Sequence, residues 1–266
     1  MIRDITLGQY YPVESPVHRL DPRTKITATF IYMISIFLIR DIWGYTAAFI
    51  FLAFMIHLSR VPFRFMTRGL KGIFILLLFT AVFNVFFTPG EVLLSVWKLN
   101  ITKEGIRVAV RMVIRLAFLV IGTSLMTLTT TPNSLTYGLE RIFKPLKRFK
   151  IPVHEIAMMM SIALGFIPIL VEELDRIMKA QSARGADFES GRLSKRMKAL
   201  IPVLVPLFVS AFRHAGDLAY AMEARCYHGG DGRTRMKPLR YKKQDYIAYS
   251  TVLAYLAVVI VLGIVF

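Results

Sequence analysis

Cysteine is almost missing from this chain. Cys226 is the only one among 266 residues, which excludes an internal disulfide and any CxxC metal site. Packing therefore has to hold the fold. Acidic residues are scarce as well, 17 Asp and Glu against 34 Lys and Arg, leaving a formal net charge of +17 and a sequence pI near 10.2. Such an excess suits nucleic acid, an anionic membrane surface or an acidic protein partner. No GxxxxGK[ST] loop is present to cradle nucleotide phosphates, and no HExxH or convincing nucleophile and base pairing appears. No catalytic site is expected. The histidines, His18, His57, His154, His214 and His228, are dispersed along the chain, and no metal site is expected from them. Glu172, Glu173 and Asp175 read as solvated or paired with Arg176 and Lys179. The opening MIRDITLGQYYP shows no apolar core followed by a small-residue cleavage site, so the expectation is that the first spanning helix itself directs insertion.

Apolar material is abundant: 55% of the residues are hydrophobic and 19% charged, with mean hydropathy +0.54. Lipid is the expected solvent. Charges bound four apolar stretches in the first half, Ile26 to Ile39, Ile42 to Leu58, Ile73 to Phe87 and Ile106 to Leu128. A fifth runs uncharged from Tyr246 to Phe266. Each is a candidate spanning helix, the shorter ones reaching the length of about 20 residues with help from flanking residues. The segment from Thr131 to Asp245 differs in character and holds 20 of the Lys and Arg residues against 11 acids. Arg19, Arg23 and Lys25 precede the first span, and Arg60, Arg64, Arg68 and Lys71 separate the second from the third, so the positive-inside rule places the N-terminus and the basic segment in the cytoplasm. The expected organisation is an N-terminal segment with spans one to four over residues 1–130, cytoplasmic helices over 131–245, and a C-terminal span over 246–266.

Breakers divide the basic segment into three helices: Asn133 to Phe149, Val153 to Asp187 and Leu193 to Tyr227. The last two are long, each apolar in its first half (Ile156 to Val171, Ile201 to Phe212) and polar in its second. They read as helices that dip into or lie against the membrane, with a reentrant or crossing hairpin as the competing arrangement. Small residues recur every fourth position, Ala157, Ser161 and Gly165 on one and Ala211, Ala215 and Ala219 on the other, a spacing that lets two helices cross closely. Common alanines and glycines explain one such stripe by chance; two on consecutive helices favour a crossed pair. The fold class expected is all-α: a polytopic membrane protein with about five spans and a cytoplasmic unit of three helices, two of them long and crossed.

Each long helix ends in a similar string, Gln181-Ser182-Ala183-Arg184-Gly185-Ala186 and Met222-Glu223-Ala224-Arg225-Cys226-Tyr227. Gly185, and later Gly229-Gly230, suit the left-handed backbone that stops a helix. One arginine near a helix C-terminus is explained by the helix dipole. The duplication, with small neighbours that admit another surface, points instead to two docking tips whose arginines bind carboxylates with a planar fork. A separate ladder, Arg107, Arg111 and Arg115, lies on one helical face at the entrance to span four. Snorkelling to the headgroups explains it first; attraction of anionic lipid or a partner is the alternative.

The N-terminal run Gly8-Gln9-Tyr10-Tyr11-Pro12, Ser15-Pro16 and His18-Arg19-Leu20-Asp21-Pro22-Arg23-Thr24-Lys25 resembles the signature of the transmembrane (T) component of energy-coupling factor transporters, and the two Ala-Arg-small strings resemble that family's paired coupling motifs. The resemblance covers essentially the whole chain. It implies a non-catalytic scaffold of an ABC-type importer in a prokaryotic plasma membrane, coupling ATP hydrolysis to uptake of a vitamin or other micronutrient. Its implied partners are two ABC ATPase subunits, a substrate-binding membrane subunit and the bilayer, with no nucleic acid. No cofactor is implied in this chain, ATP being bound by the ATPases. Ala183, Arg184 and Gly185 would meet one ATPase, and Ala224, Arg225 and Cys226 the other; Cys226 departs from the family's usual glycine or other small residue. Two rival readings remain. A self-sufficient channel or secondary carrier usually carries ionisable groups within its spans, and spans one, two, three and five are nearly free of charge. A membrane-tethered nucleic-acid binder has the basic segment but no recognised binding motif.

Overall fold

The computed structural model describes residues 10–39, 41–96, 99–186, 188, 193–230, 236 and 238–265; Gly8, Gln9, Asp187 and Phe266 of the sequence reading lie outside them. The described elements are α1 (Pro22–Leu38), α2 (Ile42–Ser59), α3 (Phe63–Phe87), a short hairpin of β1 (Val92–Val96) and β2 (Leu99–Thr102), α4 (Lys103–Thr129), α5 (Pro132–Phe143), a 3₁₀ turn (Lys144–Phe149), α6 (Val153–Ala183), α7 (Leu193–Ala224) and α8 (Lys243–Val265). The antiparallel hairpin is the one departure from helix among the described elements. It lies between the third and fourth apolar stretches, where the sequence analysis expects no strand. The chain divides into two compact units, one formed by Gly8–Leu139 with Leu239–Phe266 and the other containing Glu140–Pro238.

Among the described residues, six helical segments are long and apolar enough to cross a membrane: α2, α3, α4, α6, Ala199–Ala224 of α7, and α8. Of the five stretches expected to span, α1 is the one too short, whereas α6 and α7, expected to lie shallow, have the length and apolar composition of spans. At 17 residues, α1 is about 25 Å long, short of a hydrocarbon core of about 30 Å. Conversely, α6 runs unbroken through Pro168, and α7 through Pro202 and Pro206. The apolar stretches that prolines divide in the sequence are thus continuous in the structure. A proline can stay inside a helix where its neighbours satisfy the carbonyl it leaves free.

In the first unit α4 packs against α1, α2 and α3, and α8 against α1 and α2. Tyr32, Ile36, Leu52, Ile121, Leu125 and Tyr255 lie in its core. Tyr255 stacks on Phe51 with ring centroids 4.2 Å apart, and its hydroxyl accepts a 2.9 Å hydrogen bond from Ser35. A Cβ at Gly122 would collide with the Tyr32 ring, so a glycine is needed for α1 and α4 to meet there.

The N-terminal signature acts in this unit as a clasp. Asp21 caps α1, its Oδ1 accepting from Arg23 N at 2.9 Å. Burial opposes ionisation of the Asp21 carboxyl, yet hydrogen bonds from Arg23 hold it below the usual carboxylate range. The Arg23 guanidinium pairs with Asp21 at 2.9 Å and lies 3.9 Å over the Tyr241 ring. Buried Asp245, in the first turn of α8, accepts from Asp21 N at 2.8 Å and Lys242 N at 2.7 Å. Lys25 Nζ donates to Thr129 O at 2.7 Å and His18 O at 3.1 Å, closing the end of α4 onto the start of α1. His18 Nε2 donates to Tyr11 O at 3.1 Å, so its Nδ1 accepts from the Ser15 hydroxyl at 2.7 Å. Burial and the charge of Lys25 keep this imidazole below its ordinary pKa.

Candidate partner-docking site

The other unit is built around α6 and α7, which run antiparallel. The Phe166 and His214 rings meet 6.3 Å apart, Ser210 Oγ donates to Glu173 Oε1 at 3.5 Å, and Gln181 Nε2 donates to Pro202 O at 3.2 Å. The last contact has a local cause. Pro206 has no N–H to offer the carbonyl four residues back, which is that of Pro202, and the Gln181 amide fills the vacancy. Gln181 opens the string that carries Arg184, so the same residue that begins the cap fastens it to α7.

The two helix ends are built alike. On α6, Ala186 N donates to Gln181 O and Gly185 N to Ser182 O, both at 3.0 Å. On α7, Tyr227 N donates to Met222 O at 3.0 Å and Cys226 N to Glu223 O at 2.8 Å. These are the 6→1 and 5→2 bonds of a Schellman cap, with the residue after the arginine in left-handed conformation. Gly185 has φ 90° and Cys226 φ 55°. Thus α7 stops at Cys226, ahead of Gly229, which also has positive φ, at 96°. Gly230 then packs on the His154 ring, whose Nδ1 lies 3.0 Å from Glu140 Oε1. This bridge fixes the chain leaving the α7 tip against the start of α6.

Ala183, Arg184 and Gly185, and likewise Ala224, Arg225 and Cys226, are all exposed. Neither arginine's guanidinium is paired among the described residues. Seen from the Phe166–His214 level, Arg184 and Arg225 lie in opposite directions, so a rise of 1.5 Å per residue separates the tips by about 40 Å. Each cap offers an unclaimed planar cation between small residues, a shape that admits a carboxylate-bearing surface. The small-residue stripes are placed differently. Ala157 is buried, Ser161 half-buried with its hydroxyl returned to Ala157 O at 3.0 Å, and Ala211 half-buried. Gly165, Ala215 and Ala219 are exposed, with open space where a Gly165 Cβ would stand. The contacts named above join α6 to α7 through larger side chains. Between the tips, Ile156, Met159, Val205, Phe208 and Phe212 are exposed apolar side chains, Phe212 at 76%.

Comparison with known proteins establishes the family. The family model described as "Cobalt transport protein" (CbiQ) matches residues 13–237, well over half the chain. The chain belongs to the CbiQ family. Among its curated relatives is the "Energy-coupling factor transporter transmembrane protein EcfT" of Ruminiclostridium cellulolyticum, 53% identical over the full length of both chains. The protein of the same name from Clostridium kluyveri is 54% identical over 93% of each chain. That from Bacillus subtilis is 45% identical over 92% of this chain and 93% of its own. The matched span of this CbiQ-family chain includes both arginine caps and most of the N-terminal clasp. It is accordingly a multi-pass membrane protein and an energy-coupling factor transporter transmembrane component.

Proposed function

We propose that the chain is the membrane scaffold of an ATP-driven importer of vitamins or other micronutrients, in which the α6 and α7 caps dock two ABC ATPase subunits. The observation that carries this reading is the pair of matching Schellman caps, each presenting an exposed arginine with small neighbours and set about 40 Å apart. Two such tips suit two homologous sockets. In each, the guanidinium meets a carboxylate, Ala183 with Gly185 or Ala224 with Cys226 admits the socket wall, and ATP stays on the ATPases. The exposed apolar faces of α6 and α7, with Gly165, Ala215 and Ala219 permitting close approach, contact the substrate-binding membrane subunit. The N-terminus and caps face the cytoplasm of a prokaryote, as the basic loops require, with α6 and α7 lying along the membrane, since antiparallel spans would carry their two tips to opposite faces.

Reconstitution tests this function. Liposomes holding this chain, both ATPases and a substrate-binding subunit are expected to take up substrate only with ATP. Uptake by this chain alone, without ATP, would establish a self-sufficient channel or carrier instead.

A further inference from the structure

Three arginines, Arg107, Arg111 and Arg115, recur every fourth residue along α4. Lys25 meets Thr129 O, and Arg115 Nη2 donates to Ile39 O at 3.0 Å, so α1 and α4 run antiparallel in one register over the same number of residues, about 21 Å on each. Arg115 thereby sits at the C-terminal end of α1, where helix carbonyls point outward. Its guanidinium is 5.8 Å from the Phe37 ring centroid, and its Nε is buried without a hydrogen-bond partner among the described residues. Arg111 and Arg107 follow on the same face toward the α4 N-terminus, Arg111 Nε reaching Arg107 O at 3.4 Å.

Two further observations locate and charge this corner. Trp43 and Ile42, which begin α2 immediately after the turn, are 56% and 77% exposed, and an exposed tryptophan at the start of a candidate span marks the headgroup level. No carboxylate pairs with Arg107 or Arg115 among the described residues. The nearby Glu104 carboxylate is taken up by Glu91 N, at 2.7 Å. Like charges one turn apart repel, and the buried Arg115 Nε needs an acceptor. An anion at the corner would answer both. Guanidinium forks match phosphate oxygens, and the bilayer presents phosphates at this depth.

We propose that Arg107, Arg111 and Arg115 form a binding site for the phosphate of an anionic phospholipid, at the bilayer face that carries the α1–α2 turn. Snorkelling alone would anchor α4 without preferring one headgroup. A built phosphate site makes the preference strong.

Native mass spectrometry of the full-length chain, released from mixed micelles containing equal phosphatidylcholine and phosphatidylglycerol, tests this. Wild type is expected to retain phosphatidylglycerol selectively. The double variant Arg107→Gln, Arg111→Gln leaves the Arg115 bond to α1 intact and is expected to lower that selectivity roughly thirtyfold, for two juxtamembrane charges. The charge-preserving double variant Arg107→Lys, Arg111→Lys is expected to fall between the two. The proposal is overturned if the glutamine variant keeps full selectivity, or if the lysine variant matches wild type. It is equally overturned if millimolar inorganic phosphate displaces the lipid, which would assign the site to a soluble anion.

Discussion

Arg184 and Arg225 occupy the same place in two caps, and the residue after each decides how the cap is made. At Gly185, positive φ is free of steric cost; at Cys226 a Cβ is forced into the left-handed region, at about 1 kcal/mol. Replacing Cys226 with glycine is therefore expected to stabilise the detergent-solubilised protein by about 1 kcal/mol against denaturant, with the docking arginine unmoved. An unchanged or lower midpoint would show that the cysteine side chain compensates the strain. Much at this scale was legible in the sequence. The repeated Ala-Arg-small endings mark where α6 and α7 end, because helix stops of this kind use short strings. That Cys226 rather than Gly229 ends α7 was not legible, since cysteine carries no turn signal. Nor was the bond from Arg115 to Ile39, which depends on the register of two helices distant in sequence.

Among the elements, α6 and α7 show how proline writes a contact into a helix pair. Pro206 frees the Pro202 carbonyl, and Gln181 Nε2 takes it at 3.2 Å. Gln181→Ala is expected to cost about 1 kcal/mol, the worth of an ordinary hydrogen bond plus part of the penalty for an orphaned acceptor. In a Pro206→Ala background the helix regains its own N–H donor, and the same Gln181→Ala change should cost much less. Denaturant titrations of the four proteins measure the coupling; equal costs in both backgrounds would refute the link. The position of Pro206 contains this signal, because a proline inside a helix leaves the carbonyl four residues earlier without its helical donor. It does not say which side chain supplies the donor. Both helices are legible as whole through Pro168, Pro202 and Pro206; what was not legible is that their apolar parts reach the length of a span, because Pro202 and Pro206 interrupt the hydropathy of α7. The β1–β2 hairpin escaped for a different reason: short strands between two spans leave little periodicity beside the apolar runs that flank them.

At the scale of the whole molecule, this CbiQ-family chain is proposed to join two ATPases through two separate tips. Affinity purification of the tagged, detergent-solubilised protein tests it most directly, comparing wild type with Arg184→Ala, Arg225→Ala and the double variant. Wild type should bring down two ABC ATPases and a small membrane protein. Each single variant should weaken one docking site by about 2–5 kcal/mol, as loss of one partner from a buried hydrogen-bonded charge pair does, and the double variant should lose both ATPases while keeping the membrane subunit. Full ATPase recovery with the double variant would rule out docking through the two caps.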